Sequence, residues 1–357
     1  MHINKNILIF CPSIEDGGVE KNLYLISNYL AKNKYKVDVI TANKDKKNNF
    51  INKVNFYSPK SKIWSSKSRI LKLIICIKLF FFNYKKNNFI MLSFQSNISA
   101  IILSKISNKK IIIRSNTDPS AYINNFIKKY IFKFILNFAD RIICNSYEFR
   151  RNLKKIFNIN ATVIYNPFFF NKIQNSKFFF NNKLNILSIG RLTEQKNHLC
   201  ALRAIKLIKN KIPLKYIIIG KGKLYLELKN YIKKNKLYKN VKLIGYQKNP
   251  HNFIKKSDIF VLSSNFEGLP NVLLEAIYYK KIIVSTNCPS GPKEILLNGK
   301  GGFLFPVNDY KKLSEILIYI YNNFSATKKK VLLSSKNFSR FDYKTNIIKY
   351  EKIIKNT

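Results

Sequence analysis

Residues 258–277 have the sequence DIFVLSSNFEGLPNVLLEAI, which joins a buried strand, a polar loop and an apolar helix. The short apolar run 259–262 is bounded by polar turn residues, as expected for a strand with both faces buried. Pro270 suits the first turn of the helix that follows, where a missing N–H group costs nothing. The segment therefore predicts a strand–loop–helix unit of an α/β fold.

The same alternation of strands and helices extends through most of the chain and predicts parallel sheets with helices on both faces. In the first half, strands are predicted near 6–11, 36–41, 89–93, 110–114, 141–145 and 162–165, with helices near 19–33, 64–84, 96–107, 122–138 and 147–157. In the second half, strands are predicted near 184–189, 214–219, 241–244, 258–262, 281–285 and 302–305, with helices near 197–210, 223–236, 249–256, 270–280, 292–298 and 310–323. The tail 325–356 is expected to be helical and basic.

A chain of 357 residues exceeds the usual size of one hydrophobic core, so two domains are expected. The alternation breaks after Asn166-Pro167, which predicts an N-terminal domain at 1–166, a linker at 167–183 and a second domain at 184–340. The segment 341–357 is expected to be a helix, with packing against the N-terminal domain as one option. Two doubly wound domains would face each other across a cleft lined by the loops at the carboxyl ends of their strands.

The formal net charge is extreme, 65 − 18 = +47. Lys, Asn, Ile, Phe and Tyr are abundant together, which indicates AT-rich codon bias as the origin of the charge. Its expected consequence is affinity for an anionic membrane surface. The chain has no RNA-recognition, zinc-finger or basic-leucine pattern, so nucleic acid is not an expected partner. A hydrophobic fraction of 46% excludes wholesale disorder.

The cysteines and histidines form no metal-ligand pattern, and neither a metal nor a cofactor is expected. The five cysteines are scattered without a CxxC pair, which predicts buried reduced thiols: Cys11, Cys76, Cys144, Cys200 and Cys288. The N-terminus leads directly into the strand Ile7–Phe10 without a signal-peptide pattern. No apolar run reaches the roughly 18 residues that span a bilayer. These features predict a cytoplasmic protein, peripheral on the inner face of the cytoplasmic membrane.

Two glutamates frame the helix start in the opening segment. Glu267 lies on the predicted loop, and Glu275 lies about two turns into the helix. Between them the helix N-terminus offers N–H groups to an anion. A phosphate flanked by two polyhydroxylated groups fits this arrangement and indicates a nucleotide-sugar. The alternative is that glutamate is simply favoured near helix starts.

Other polar loops follow other strands. Gly17-Gly18 follows the first strand and permits close backbone approach to a phosphate, although a tight turn is the alternative. Arg191 and Lys196 follow the first strand of the second domain, where cations can converge on a diphosphate. For a lysine in this chain, the alternative is an ordinary surface position. All these residues fall at strand carboxyl ends, which favours a common ligand site.

Taken together, these segments resemble the retaining glycosyltransferases of the GT-B fold, the large family-four group (glycosyl transferases group 1) of polysaccharide and lipopolysaccharide biosynthesis. The resemblance covers nearly the whole chain. Its marks are GGVE at 17–20, GRLTEQKN at 190–197 and EGLPNVLLEA at 267–276. The segment CPSGPKEIL at 288–296 looks like the variant of members that transfer galactose-type or N-acetylhexosamine sugars.

The resemblance implies a role for each matching residue. Arg191 and Lys196 would neutralise the leaving diphosphate, Glu267 would contact the transferred sugar, and Glu275 would hold the donor ribose. The rest of the implied donor-binding set is Gly17, Gly18, Tyr246, Leu269, Pro270 and Asn271. The donor would be a nucleotide-sugar, UDP-linked and a substrate rather than a cofactor, and the acceptor a glycan or a polyprenol-linked or other lipid-linked glycan. The reaction would be metal-independent and would retain the anomeric configuration.

The acceptor side departs from the family pattern. Relatives often carry a histidine or an acidic-basic pair near Asp118-Pro119, whereas this chain has Asn116 where a charged residue is expected. Asn116 and Asp118 are therefore weaker acceptor-side candidates. Asp118 has the alternative role of capping the turn before Pro119.

Two apolar segments with lysine flanks, 65–86 and 122–138, are candidates for helices at a membrane surface. The alternative is a helix packed on the first sheet, which we favour for 122–138 and leave open for 65–86. At the level of function, the alternative to a transferase is a non-catalytic basic protein that binds an anionic membrane or polymer. A phosphorylase or an epimerase on the same fold is a third option. The set of Arg191, Lys196, Glu267 and Glu275 favours the transferase.

Overall fold

Every strand pairing among the described residues is parallel, in two separate sheets. The structure, a computed structural model, describes residues 6–15, 17–84, 87–116, 125–169 and 180–357. The chain divides into two compact units, Met1–Pro167 with Tyr343–Thr357, and Phe168–Asp342. Each unit has one sheet with helices on its faces, so the predicted α/β class with two Rossmann-like domains is confirmed.

The first unit is built on a seven-stranded sheet in the order β3-β2-β1-β4-β5-β6-β7. The strands are β1 Asn6–Phe10, β2 Lys36–Ile40, β3 Val54–Tyr57, β4 Ile90–Ser93, β5 Lys110–Arg114, β6 Arg141–Cys144 and β7 Thr162–Val163. The helices are α1 Gly18–Lys32, α2 Arg69–Tyr84, α3 Asn97–Ile106, α4 Phe126–Leu136 and α5 Tyr147–Phe157, with 3-10 turns at Lys44–Asn49 and Lys62–Ser66.

The second unit is built on a six-stranded sheet in the order β10-β9-β8-β11-β12-β13. The strands are β8 Leu184–Ile189, β9 Leu214–Ile219, β10 Val241–Gly245, β11 Ile259–Leu262, β12 Ile282–Thr286 and β13 Phe303–Phe305. The helices are α6 His198–Ile208, α7 Tyr225–Lys234, α8 His251–Lys256, α9 Asn271–Tyr278, α10 Pro292–Ile295, α11 Tyr310–Asn322 and α12 Phe324–Lys336, with 3-10 turns at Leu297–Gly299 and Phe338–Phe341. The last helix, α13 Tyr343–Lys355, belongs to the first unit.

The first sheet is buried on both faces because apolar side chains occupy consecutive positions of its central strands. On β1, Ile7 and Ile9 face the core formed with α1 and α13. Leu8 and Phe10 face the opposite core, which is formed with α2, α3, α4 and α5. This two-sided burial explains why the strands have nearly continuous apolar runs.

Both sheets have a position where the direction of strand addition reverses, and ligands of doubly wound folds bind at such switch points. In the first sheet it lies between β1 and β4, and in the second between β8 and β11. The loops that follow β1, β8 and β11 hold several of the residues singled out from the sequence, namely Gly17, Arg191, Lys196 and Glu267.

Several predicted boundaries were wrong. Strand β3 was missed, because an edge strand is only partly buried and lacks a continuous apolar run. Helix α2 begins at Arg69 rather than 64, and a 3-10 turn precedes it. The tail is two helices separated by a 3-10 turn, since Phe338 and Phe341 are buried there and interrupt the helical period. Pro270 is the N-cap of α9 rather than its first residue.

All five cysteines are buried and free, as predicted for buried thiols without a disulfide. Within the described ranges, no helix is both long and apolar enough to cross a bilayer.

Candidate active site

The switch point of the second sheet brings Lys196 and Glu267 into direct contact. Lys196 Nζ lies 2.6 Å from Glu267 Oε1, and the two side chains are only 14% and 7% exposed. Ser264 Oγ donates a second hydrogen bond to the same oxygen at 2.7 Å. The backbone carbonyl of Ser264 is itself held by the Thr286 hydroxyl at 2.7 Å. Glu267 is therefore a buried carboxylate fixed by a cation and a hydroxyl.

This contact depends on a tight connection between the loop after β8 and the loop after β11. Asn197 has a left-handed backbone (φ 44°) and caps α6, accepting from the Cys200 N–H at 3.3 Å. Its amide nitrogen donates to Asn265 Oδ1 at 2.9 Å. Ser263 Oγ donates to the Asn197 carbonyl at 2.9 Å. These bonds align Lys196 with Glu267.

Arg191 is exposed at the edge of the same site. Its Nη2 donates to Gln195 Oε1 at 3.2 Å, and Gln195 Nε2 donates to the Phe266 carbonyl at 3.2 Å. Gln195 thus connects the guanidinium to the backbone beside Glu267. The structure places both predicted cations on the loop that contacts the predicted carboxylate.

The loop after β12 forms another wall around Glu267. Ser290 Oγ donates to the Glu267 carbonyl at 3.0 Å, and the Glu267 N–H donates to the Pro289 carbonyl at 3.3 Å. Gly291 has φ +92°, and a Cβ there would lie 1.8 Å from the Gly268 carbonyl oxygen, so this position requires glycine. Burial, with the Glu267 carboxylate as a second cause, raises the pKa of Cys288 to about 12. Cys288 is therefore a neutral thiol.

Helix α9 begins immediately after this buried loop. Pro270 is its N-cap, and the proline side chain makes no capping hydrogen bond. Leu269 and Glu275 are buried, and Asn271 is the first helical residue. The amino end of α9 thus carries backbone N–H groups of the type that bind anions, beginning four residues after Glu267.

At the switch point of the first sheet, Gly17 and Gly18 begin α1. The buried Glu20 side chain turns back towards this start and accepts from the Glu15 N–H and from Gln95 Nε2, both at 3.3 Å. A Cβ on Gly17 would lie 2.8 Å from Glu20 Oε2. Gly17 therefore lies directly beside a carboxylate of its own helix.

The remaining predicted residues lie apart from these contacts. Tyr246 follows β10 and is exposed, with Lys221 Nζ 4.6 Å from its ring centroid. Asn116 follows β5 and donates to the Phe94 carbonyl at 2.7 Å, while its Oδ1 is buried with no hydrogen-bond partner in the described part of the chain. Asp118 lies outside the described residues.

Three polar residues of the two sites were not assigned a role from the sequence: Ser264, Gln195 and Gln95. Ser264 and Gln95 directly follow strands that border a switch point, and that position is the signal that could have identified them. In the described ranges, no group of three or more His, Cys, Asp and Glu side chains is arranged to hold a metal ion.

Comparison with known proteins gives matches along most of the chain. Residues 16–168 match the family described as Glycosyltransferase Family 4, and residues 169–336 match Glycosyl transferases group 1. A protein described as an uncharacterized glycosyltransferase of Methanocaldococcus jannaschii is 35% identical over 56% of this chain and 55% of its own length. The alignment thus spans about half of that relative.

Two further proteins match over nearly their full length. The N-acetylgalactosamine-N,N'-diacetylbacillosaminyl-diphospho-undecaprenol 4-alpha-N-acetylgalactosaminyltransferase of Campylobacter jejuni is 28% identical over 96% of this chain and 98% of its own length. The crystal structure of HepE from Anabaena in complex with UDP superposes with a TM-score of 0.78 at 17% identity, covering 99% of this chain and 100% of that one. The second likeness shows a shared fold. Because the two family matches adjoin and extend together over residues 16–336, the chain belongs to the group 1, family 4 glycosyltransferases.

Proposed function

We propose that this glycosyltransferase moves a hexose or N-acetylhexosamine from a UDP-sugar to a lipid-linked or surface-polysaccharide acceptor, with retention of configuration and without a metal ion. The observation that carries the proposal is the buried contact between Lys196 and Glu267 beside the amino end of α9. It places a cation, a carboxylate and helix N–H groups within one loop cluster. A sugar diphosphate needs partners of all three kinds.

The chemistry supports this assignment. Breaking the anomeric bond develops negative charge on the diphosphate and positive charge on the sugar ring. Lys196, Arg191 and the α9 amino end would stabilise the first charge. Glu267 would accept hydroxyl hydrogens of the sugar, and Glu275 those of the ribose. No side chain is assigned as nucleophile, so the acceptor hydroxyl would attack on the face from which the leaving phosphate departs.

The relatives support the choice of substrates. The Campylobacter protein is named for transfer to a diphospho-undecaprenol-linked acceptor, and the Anabaena protein was crystallised with UDP. A lipid-linked acceptor would require access to a membrane surface, which is consistent with a net charge of +47. We propose a peripheral position on the inner face of the cytoplasmic membrane.

The test is a binding and turnover screen with purified protein and a panel of UDP- and GDP-sugars. Saturable binding of one donor is expected, and Arg191→Met and Glu267→Gln should each weaken binding or turnover on the order of 30-fold. Arg203→Met and Glu227→Gln, at exposed positions of α6 and α7, are the charge-matched controls and should change neither.

Turnover with a polyprenyl-diphosphate-linked glycan, followed by NMR of the product, would give the anomeric configuration. An inverted product would exclude the retaining mechanism. If no nucleotide-sugar binds to the wild type, the transferase assignment fails and the alternative, a non-catalytic binder of anionic membranes or polymers, takes its place.

A further inference from the structure

Helix α4 exposes most of its apolar side chains. Phe126 is 80% exposed, Ile127 67% and Phe134 59%, and Leu136 is the one residue of the helix that is buried. Tyr130 and Ile131 are exposed as well. The predicted packing on the first sheet holds for one side of this helix, where Leu136 is buried and Phe132 and Ile135 pack against the same core, while the other side is apolar and exposed. Exposing this many large apolar side chains to water is unfavourable, and a binding partner that covered them would remove the penalty.

Two other helices that pack on the same side of the first sheet also expose apolar side chains. Helix α3 packs against α4 and exposes Ile102 and Ile106, and α2 exposes Ile70, Ile74 and Phe82. All three helices contribute to the same core on one face of the first sheet. We call the exposed apolar side chains of this layer the apolar face, which comprises Ile70, Leu71, Ile74, Phe81, Phe82, Ile102, Ile106, Phe126, Ile127, Tyr130, Ile131 and Phe134.

For segment 65–86, membrane contact and core packing were left open, and the structure shows that one side of α2 packs in the core. Lys72, Cys76, Phe80 and Tyr84 of α2 are buried against the sheet. Its outward positions belong to the apolar face. A helix with one side in the core and the other side apolar cannot be recognised as such from periodicity alone.

Composition alone does not explain the apolar face. Codon bias would spread exposed Ile and Phe over the whole surface. On the opposite face of the same sheet, however, the described residues of α1 expose no large apolar side chain, and those of α13 expose one, Ile348. The exposed apolar side chains are therefore concentrated on one face of the sheet of the first unit.

The charges on α4 and on the whole chain distinguish between possible partners. Lys128, Lys129 and Lys133 are interleaved with the apolar residues of α4, and the helix has no acidic residue. A second copy of a chain with a net charge of +47 would be repelled from this surface. Lysines flanking exposed Phe, Ile and Tyr are the composition of helices that lie in the interface of an anionic bilayer.

We infer that the apolar face, with α4 as its principal element, docks on the anionic surface of a lipid bilayer. The aromatic and branched side chains enter the headgroup boundary, and the lysines contact anionic headgroups. The inference deepens the proposed function, because it names the surface by which the enzyme would reach a lipid-linked acceptor. Its test uses vesicles without any sugar donor, so its failure can be told apart from failure of the transferase assignment.

The experiment is co-sedimentation of the full chain with phosphatidylcholine vesicles, with and without phosphatidylglycerol. Binding is expected for the anionic vesicles and should weaken as salt is added. The variant Ile127→Asn/Phe134→Asn should bind on the order of 30-fold more weakly, because two exposed apolar side chains no longer enter the interface. Leu226→Asn/Leu332→Asn is the matched control, since these leucines are 68% and 57% exposed on the second unit. This control should bind as the wild type does.

A second pair of variants tests the contribution of the α4 lysines to vesicle binding. Lys128→Gln/Lys129→Gln should lose roughly 30-fold in affinity for anionic vesicles, at about fivefold for each lysine near the surface. Lys233→Gln/Lys234→Gln on α7 makes the same change in net charge and should lose less than twofold if α4 is the contact. Circular dichroism would show that all variants are folded.

Three results would overturn the inference. The first is equal loss of vesicle binding in the α4 variants and their controls, which would indicate a general charge effect. The second is an absence of vesicle binding by the wild type. The third is a stable dimer in sedimentation analysis that the Ile127→Asn/Phe134→Asn variant abolishes, which would make a second copy the partner of this face.

Discussion

The pair formed by Lys196 and Glu267 makes a strong quantitative prediction. Replacing Lys196 with Met keeps much of the side-chain volume but leaves Glu267, which is only 7% exposed, without its cation. Removing one partner of a buried ion pair costs about 3–5 kcal/mol. Ser264 still donates to Glu267 Oε1 in the variant, so we expect the lower end, about 3 kcal/mol. Glu267→Gln should cost less, because its amide oxygen can still accept from both partners.

A double-mutant cycle separates the contact from the effects of each substitution. If the 2.6 Å contact exists in solution, Lys196→Met combined with Glu267→Gln should be less destabilising than the sum of the single variants by about 2 kcal/mol. The assay is urea unfolding followed by circular dichroism, with linear extrapolation to water. Trp64, the single tryptophan of the chain, lies in the first unit, so its fluorescence monitors that unit separately. Additivity to within about 0.5 kcal/mol would refute the argument.

Three further predictions test other parts of the structure. Gly291→Ala should destabilise by more than about 2 kcal/mol in urea unfolding, because the new methyl group meets a backbone carbonyl. Gly299→Ala has φ +90° but only an ordinary contact, with Leu304 Cδ1 at 3.8 Å, and should cost only about 1 kcal/mol. Burial lowers the pKa of His198 from 6.5 to about 4, so between these pH values the unfolded chain binds one proton more than the folded chain and stability falls as pH drops. Between about pH 7 and pH 5 this residue should lower the free energy of unfolding by about 2 kcal/mol. In unfolding curves at the two pH values, His198→Leu should remove that loss. The buried Arg114 guanidinium donates to the Tyr350 hydroxyl and to Asn166 Oδ1. Arg114→Met removes both hydrogen bonds and should lower the free energy of unfolding of the first unit by roughly 3 kcal/mol, whereas Tyr350→Phe removes one and should lower it by only about 1 kcal/mol. Tryptophan fluorescence would follow the unfolding.

The predicted strands of both sheets were found because each is a short apolar run with turn residues at both ends. β3 escaped because its position at the sheet edge leaves it half exposed. The exposed apolar side of α4 was not predicted, for a different reason. Its apolar stripe is the pattern of a helix on a core, and periodicity does not tell which side of a helix faces the sheet.

For the candidate site too, sequence patterns predicted individual residues but not their contacts. Arg191, Lys196 and Glu267 could be selected from the sequence, because each follows an apolar strand. Their mutual distances could not, since the contact depends on β8 and β11 being neighbours in the sheet, although β9 and β10 lie between them in sequence. The hydrogen bond from Ser264 to Glu267 is evident only from the folded loop.

The two switch points share a topology but differ in charge, and the difference decides where an anion would bind. Beside β8 and β11, Lys196 balances the Glu267 carboxylate, and the exposed Arg191 and the amino end of α9 add positive potential. Beside β1 and β4, the Glu20 carboxylate lies at the start of α1 and takes hydrogen bonds from its surroundings. A phosphate about 4 Å from that carboxylate would meet a repulsion of about 4 kcal/mol per unit charge at an effective dielectric constant of about 20. We therefore expect an anion to bind more tightly at the switch point of the second unit.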